Sequence, residues 1–169
     1  MAWWIGGRSR TLMLGTAFAV AASGCSGEEF PPKEPLANVC SLLKGEEVAT
    51  VLPDNDGGKE GGQENMPTFW VRSCDYSADL HTVHLAVDGA LDDDGSDFLK
   101  MGYDAMGAGG TKEEISGVGD EAVFWSDGVE VGVTAKAKGY LVILSALVEP
   151  TPAKAALTPL ANKAIARLP

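Results

Sequence analysis

The three cysteines are the residues whose chemistry and spacing say most about this chain. Cys40 and Cys74 enclose a segment of about 35 residues, and Cys25 lies nearer the amino terminus. Three thiols leave one over after pairing, and the segment before Cys25 predicts export and another fate for that thiol, so we expect a disulfide between Cys40 and Cys74. Closing a loop of that length stabilises a fold by roughly 3 to 4 kcal/mol on the chain-entropy model. Neither histidine lies at metal-ligand spacing from these thiols, which disfavours a zinc site.

The segment before Cys25 predicts the fate of the third thiol. Arg8 and Arg10 precede a 12-residue apolar run, residues 11–22, which is too short for a helix that crosses a bilayer. The four residues Ala-Ser-Gly-Cys that end at Cys25 resemble a lipobox, where a signal peptidase cleaves and the thiol receives a diacylglyceryl group. We expect residues 1–24 to be a signal peptide and Cys25 a lipid anchor at the extracytoplasmic face of the cell membrane. The alternative is an ordinary secretory signal that leaves Cys25 as a free thiol.

Candidates for catalysis are sparse. His81 and His84 are the only histidines, and three positions apart on a strand they point to opposite faces, so they cannot readily share a metal or a proton. The carboxylates at 92–97 invite a calcium interpretation, but with Gly95 as the sixth loop residue the first and twelfth ligand positions fall on apolar residues. They are more typical of a capped helix start. We therefore expect a protein that is not an enzyme and holds no metal or other cofactor.

Charge and length limit the partners and the number of domains. The chain has 13 basic and 24 acidic residues, and removal of residues 1–24 takes away two of the basic ones, which leaves a net charge of −13. Such a surface repels nucleic acid and anionic lipid headgroups, and it allows a cationic partner. The polar, proline-bearing residues 25–36 are expected to be the lipidated Cys and a flexible tether. Residues 37–169 then form a single globular domain.

Hydrophobic spacing predicts an α+β fold with an antiparallel sheet of about five strands. An amino-terminal helical segment at 38–52, broken by Gly45, and a carboxy-terminal amphipathic helix at 151–168 flank the sheet. One inserted helix follows the carboxylates at 92–97, with apolar positions Phe98, Met101, Ala105 and Met106. The strands are expected at 68–76, 81–87, 121–126, 129–136 and 140–148. Residues 53–66, which contain four glycines, are expected to form a mobile loop.

Asp127-Gly128 is the strongest turn signal of the carboxy-terminal half. A two-residue turn there sets Trp125 opposite Glu130, on the more polar face of the hairpin. A tryptophan on that face is either covered by another element, which we favour, or available to a partner, so Trp125 and Glu130 are the candidate interface. The nearly all-apolar strand at 140–148 indicates that both faces of the sheet are covered.

The order of these motifs resembles the actinobacterial cell-envelope lipoproteins built on a domain of unknown function. The motifs are the lipobox, Cys-Ser-Leu-Leu-Lys-Gly-Glu-Glu-Val-Ala from Cys40, Cys-Asp-Tyr from Cys74, Ile-Ser-Gly-Val-Gly-Asp-Glu-Ala from Ile115 and Leu-Thr-Pro-Leu-Ala from Leu157. The resemblance implies an exported, lipid-anchored α+β domain with one disulfide, and it carries no catalytic residue across.

Two non-catalytic functions remain open. In the first, the lipid-anchored domain is an accessory module that binds another envelope protein, and exposure of Trp125 would support it. In the second, an apolar cavity between the sheet and the closing helix carries a lipid or another small hydrophobic molecule, which needs about 300 Å³ or more. A fully packed space between that helix and the sheet would end the second hypothesis.

Overall fold

An antiparallel sheet of seven strands is the central element of the computed structural model, which describes residues 29–147 and 150–169. The strand order across the sheet is β1-β2-β3-β7-β6-β5-β4. The strands are β1 Lys59–Asn65, β2 Phe69–Ala78, β3 His81–Ala90, β4 Thr111–Ile115, β5 Glu121–Ser126, β6 Val131–Ala137 and β7 Tyr140–Ala146. The helices are a short 3₁₀ helix Val39–Leu42, α1 Gly45–Val48, α2 Asp93–Ala105 and α3 Pro150–Ala166. The α+β class is confirmed, and the five strands expected are too few.

The two strands that hydrophobic spacing missed are the two edges of the sheet. β1 has no apolar residue, and β4 has only Ile115. An edge strand pairs on one side only and turns polar side chains to water, so it lacks the alternation by which a half-buried strand is recognised. The mobile loop predicted for 53–66 is therefore wrong over Lys59–Asn65, which pairs with β2 around an irregularity between Glu60 and Gln63.

The chain builds the sheet in two passes. β1, β2 and β3 follow one another as neighbours, and α2 then carries the chain to the opposite edge. From there β4, β5, β6 and β7 return strand by strand until β7 pairs with β3 in the centre. β3 and β7 therefore lie in the middle of the sheet. The apolar composition of β7 is typical of a strand that is covered on both faces.

Each face of the sheet has its own helical cover. The 3₁₀ helix, α1 and α3 pack on one face, where the predicted apolar stripe of α3 is buried: Leu157, Leu160, Ala161, Ala164, Ile165 and Leu168. α2 packs on the other face, through Leu99 and Tyr103, against Trp125 and Leu141. The sheet is thus the middle layer of three.

The disulfide joins the amino-terminal helical segment to the sheet. Cys40 lies in the 3₁₀ helix and Cys74 in the middle of β2, with an S–S distance of 2.05 Å and Cα atoms 5.1 Å apart. Near the disulfide, the Tyr76 hydroxyl of β2 donates a hydrogen bond of 2.6 Å to the carbonyl of Leu43, the residue after the 3₁₀ helix. The predicted pairing is confirmed, and it ties two elements that are distant in sequence.

The hairpin at Asp127-Gly128 has a longer turn than predicted. Ser126 pairs with Val131, so four residues connect β5 and β6. The Asp127 carboxylate explains the wider turn, because it accepts backbone N–H groups of Val129 at 2.9 Å and Glu130 at 2.8 Å. A shift of two residues preserves the faces of a strand, so the strand residues stay on their predicted faces while Val129 is exposed in the turn.

An ion pair holds the end of α3 to the amino-terminal helices. The Arg167 guanidinium donates to both carboxylate oxygens of Glu47, at 2.6 and 2.9 Å, and to the Leu42 carbonyl at 2.8 Å. The bond from Arg167, followed by one from the Lys44 backbone N–H, lowers the pKa of Glu47 to about 2. Charge-assisted bonds of this bidentate kind fix geometry as well as adding energy.

We expect Glu47→Gln to lower the urea midpoint at pH 7 and to lose that effect in acid. A carboxyl whose folded pKa lies below its unfolded value stabilises the fold above the unfolded value, here 4.5, and the stabilisation disappears as the pH falls towards about 2. Urea unfolding at pH 7 and pH 2.5 measures this. Glu46→Gln is the control, since Glu46 makes only an exposed 3.8 Å contact with Lys44. Equal midpoint losses for the two variants at pH 7 would contradict the prediction.

Candidate functional site

Phe30 and Lys33, which follow the predicted acylation site within ten residues, lie against the sheet. Phe30 is 0 % exposed and packs under α2 with Leu99. The Lys33 N–H donates to the Ala90 carbonyl at 2.8 Å, and the Lys33 carbonyl accepts from Trp70 Nε1 at 2.7 Å. These residues fall within the expected tether 25–36, and only residues 26–28 lie between Cys25 and Glu29, the first described residue. Cys25 itself and residues 1–24 lie outside the described residues.

Trp125 is covered by another element, as the sequence favoured. Its side chain is 8 % exposed and packs in the cluster under α2. The ring lies over Gly132, where an added Cβ would come within 2.5 Å of Cζ2, and Nε1 donates to Thr134 Oγ1 at 3.0 Å. Glu130 lies in the turn, so it does not face Trp125 across the hairpin as predicted, because the register places Gly132 there. Trp125 offers no surface to a partner in this conformation.

The outer side of α2 exposes apolar side chains, among them two of the apolar positions by which the helix was predicted. Phe98 is 46 % and Met101 is 61 % exposed, whereas the side of α2 towards the sheet consists of Gly95, Leu99 and Tyr103. Both sets have helical spacing, so the period alone could not decide between them. The helical spacing of Phe98 and Met101 was nevertheless the one feature of the sequence that could have indicated this surface.

Neighbouring loops extend this cluster into a surface, which we call the α2 patch: Met66, Phe69, Leu91, Phe98 and Met101. The rings of Phe69 and Phe98 stack with centroids 4.4 Å apart. The Met66 N–H donates to the Phe69 carbonyl and the Leu91 N–H to the Thr68 carbonyl, which fixes the two loops beside β2. Exposed apolar groups gathered in one place, rather than scattered, are typical of a binding surface.

A charged cleft lies at the other end of α2. It is a cavity of about 530 Å³ lined by side chains that include Tyr103, Lys112, Glu114 and Glu121. Beside it, the buried Lys136 ammonium contacts Glu29 and lies 3.0 Å from Glu121 and 4.2 Å from the centre of the Tyr103 ring. Burial lowers the pKa of Lys136. With so many charges on its walls, the cleft does not resemble the mostly apolar pockets that take lipids.

The space between α3 and the sheet is packed. Leu157, Leu160 and Ala164, which face the sheet, are buried. Of the cavities beside α3, one is lined by residues of α3 alone, and the other lies between α3 and the edge strand β4, where Glu113 and Glu114 line it. Among the described residues, then, the lipid-carrier hypothesis finds no apolar cavity at the place it requires.

One row across the sheet has the residue types of a serine hydrolase. Asp75, His84 and Ser145 lie side by side on β2, β3 and β7, and His84 Nδ1 is 2.5 Å from Asp75 Oδ1. Ser145 is only 2 % exposed, so a substrate cannot reach its hydroxyl. β7 is paired on both sides, which commits its backbone amides to the sheet and leaves none to hold an oxyanion. The row does not provide what acyl transfer needs.

The carboxylates at 92–97 cap a helix. The Asp92 side chain accepts the Gly95 N–H at 2.9 Å, and Asp93 and Asp94 occupy the first turn of α2. In the part of the chain that the structure describes, no three His, Cys, Asp or Glu residues are grouped so that they could hold a metal ion. Across the same residues, no helix is both long and apolar enough to cross a membrane.

Comparison with known proteins found no matching family model, no matching curated protein and no matching solved structure.

Proposed function

We propose that this chain is an exported lipoprotein, anchored in the cell membrane through Cys25, whose folded domain is a non-catalytic accessory module that binds another envelope protein. The observation that carries the proposal is the docking of Phe30 and Lys33 against the sheet, directly after the lipobox. Three residues separate Cys25 from Glu29, and the four steps of about 3.3 Å each in extended chain let the link reach at most about 13 Å. The acylated domain is then held close to the bilayer with one fixed side towards it.

A fixed orientation next to the membrane suits a protein that meets a neighbouring membrane protein. Tethering on a short link raises the effective concentration of the domain for such a neighbour. A lipid carrier, by contrast, needs an enclosed apolar cavity, and the described residues between α3 and the sheet are packed. Within the described residues, the burial of Ser145 in the hydrolase-like row supports binding over catalysis by that row.

Native mass spectrometry of the protein released gently from its own membranes tests the anchor. We expect a chain that begins at Cys25 and carries a diacylglyceryl group, and we expect Cys25→Ser to remain uncleaved and unacylated. An unacylated wild-type chain in the soluble fraction would contradict the anchor. A retained small hydrophobic molecule would favour the carrier hypothesis over the binding module.

A further inference from the structure

We propose that the α2 patch is the surface that contacts the protein partner, and that this partner presents an apolar centre with a rim of lysine or arginine side chains. This inference rests on the proposed function, since it names the surface and the chemistry of the same interaction. The fold leaves much of both Phe98 and Met101 exposed, because α2 meets the sheet through Leu99 and Tyr103 and Phe98 contacts only the edge of the cluster at Phe69.

The composition of the patch is that of a protein interface. Aromatic residues and methionine are enriched at the centre of interfaces, and the patch contains two of each: Phe69, Phe98, Met66 and Met101. The stacked rings of Phe69 and Phe98 limit the freedom that a partner would otherwise have to remove on binding. Methionine adapts its shape to the surface it meets.

The charges around the patch favour a basic partner over the bilayer. Asp94, Asp97 and Asp104 are exposed on α2. The one basic residue of the helix, Lys100, lies 3.5 Å from Glu29 and is partly neutralised by it. Anionic headgroups would be repelled by this rim, whereas lysine or arginine side chains would be attracted.

The position of the patch agrees with a partner in or on the same membrane. The contact between Glu29 and Lys100 places the first described residue beside the middle of α2. The acylated Cys25 is then within about 13 Å of that point by the length of extended chain. Leu80 and Val129 are exposed apolar side chains outside the patch; they lie in turns at the opposite end of the sheet and serve as matched controls.

Site-specific photo-crosslinking in the cells that make the lipidated protein tests the inference. A photoreactive residue replaces Met101 in one variant and Leu80 in the other. We expect a defined protein adduct from position 101 and none from position 80, with Lys or Arg in the crosslinked partner peptide. Asp94→Lys combined with Asp97→Lys should lower the adduct yield at least about tenfold, the effect of like charges meeting at an interface.

The other outcomes overturn the inference in distinguishable ways. Adducts to phospholipid alone would make the patch a membrane contact, and adducts to a second copy would make it a self-association surface. A protein adduct from position 80 but not 101 would keep the proposed function and move its surface. An adduct yield that does not fall after the double charge reversal would contradict the proposed basic rim of the partner. An unacylated chain with no protein adduct from either position would remove the proposed function as well.

Discussion

Replacing Asp88 by asparagine is expected to stabilise the domain by ~4 kcal/mol at pH 8 and by much less at pH 4. Asp88 lies in β3 between Val71 and Leu141 of the neighbouring strands, and its side chain points to the face that α2 covers. The residue is 9 % exposed, and within the described residues its Oδ1 atom has no hydrogen-bond partner. Such burial disfavours the charged form of a carboxyl group.

The direction of the pH dependence follows from the pKa. Burial raises the pKa of Asp88 from 3.8 to about 7. Between these values the folded chain holds a proton that the unfolded chain has released, so the free energy of unfolding falls as the pH rises and the full cost is present above about 7. A difference of about three pKa units corresponds to ~4 kcal/mol. Asparagine resembles the protonated carboxyl, so Asp88→Asn removes this cost only where Asp88 is charged.

Urea unfolding of Asp88→Asn and of the wild type at pH 4, 6 and 8 measures the effect as a difference between the two proteins. The other carboxylates titrate in both proteins and therefore cancel in that difference. Asp104→Asn is the control, because Asp104 is exposed on α2. If Asp88→Asn gives the same gain at pH 4 as at pH 8, the gain does not come from the charge on Asp88.

Removal of the disulfide has the second large effect. We expect Cys40→Ala combined with Cys74→Ala to lose ~3 to 4 kcal/mol, because the bond closes a loop of sequence separation 34 and so restricts the unfolded chain. The same variant frees the 3₁₀ helix from β2, and with it the Asn38 cap and the Leu43 carbonyl that accepts from Tyr76. This stability loss should persist at every pH, unlike the gain from Asp88→Asn, which depends on the charge of Asp88.

The disulfide prediction is measured by urea unfolding of the mature domain, with Cys25→Ser as the matched control. That control also removes one sulfur atom, but it leaves the disulfide between Cys40 and Cys74 intact. We therefore expect it to unfold at the wild-type midpoint. Reduction of the wild type should reproduce the stability of the double variant. A double variant that keeps the wild-type midpoint would show that the helical segment needs no covalent link to the sheet.

The inner strands were predictable from the sequence because they are half or fully buried. β2, β3 and β5 to β7 have apolar alternation or apolar runs, and the edges β1 and β4 have neither. The disulfide followed from the number of cysteines. Register was harder, since Asp-Gly suits a two-residue turn, whereas the Asp127 carboxylate here accepts two backbone N–H groups in a longer one.

Two ambiguities in the sequence prevented prediction of the candidate surface. In α2, Phe98 and Met101 have a helical spacing, and so do Leu99 and Tyr103. Only the position of the sheet decides which pair is buried. Near the amino terminus, the polar and proline-bearing surroundings of Phe30 resemble a tether, yet the Phe30 ring and the backbone of Lys33 dock the segment on the sheet. Both ambiguities concern which side of an element meets its neighbour, and spacing cannot supply that information.

The seam between β3 and β7 has a consequence for how the chain assembles. Val83 pairs with Ala146 and Asp88 with Leu141, so the centre of the sheet joins the two most separated passes of the chain. Each pass can form from sequential neighbours, whereas the seam must close a long loop through α2, which is slow on entropic grounds. For a chain delivered amino end first, β3 waits with one unpaired edge until β7 arrives. That interval is when the chain is most open to strand pairing with other molecules.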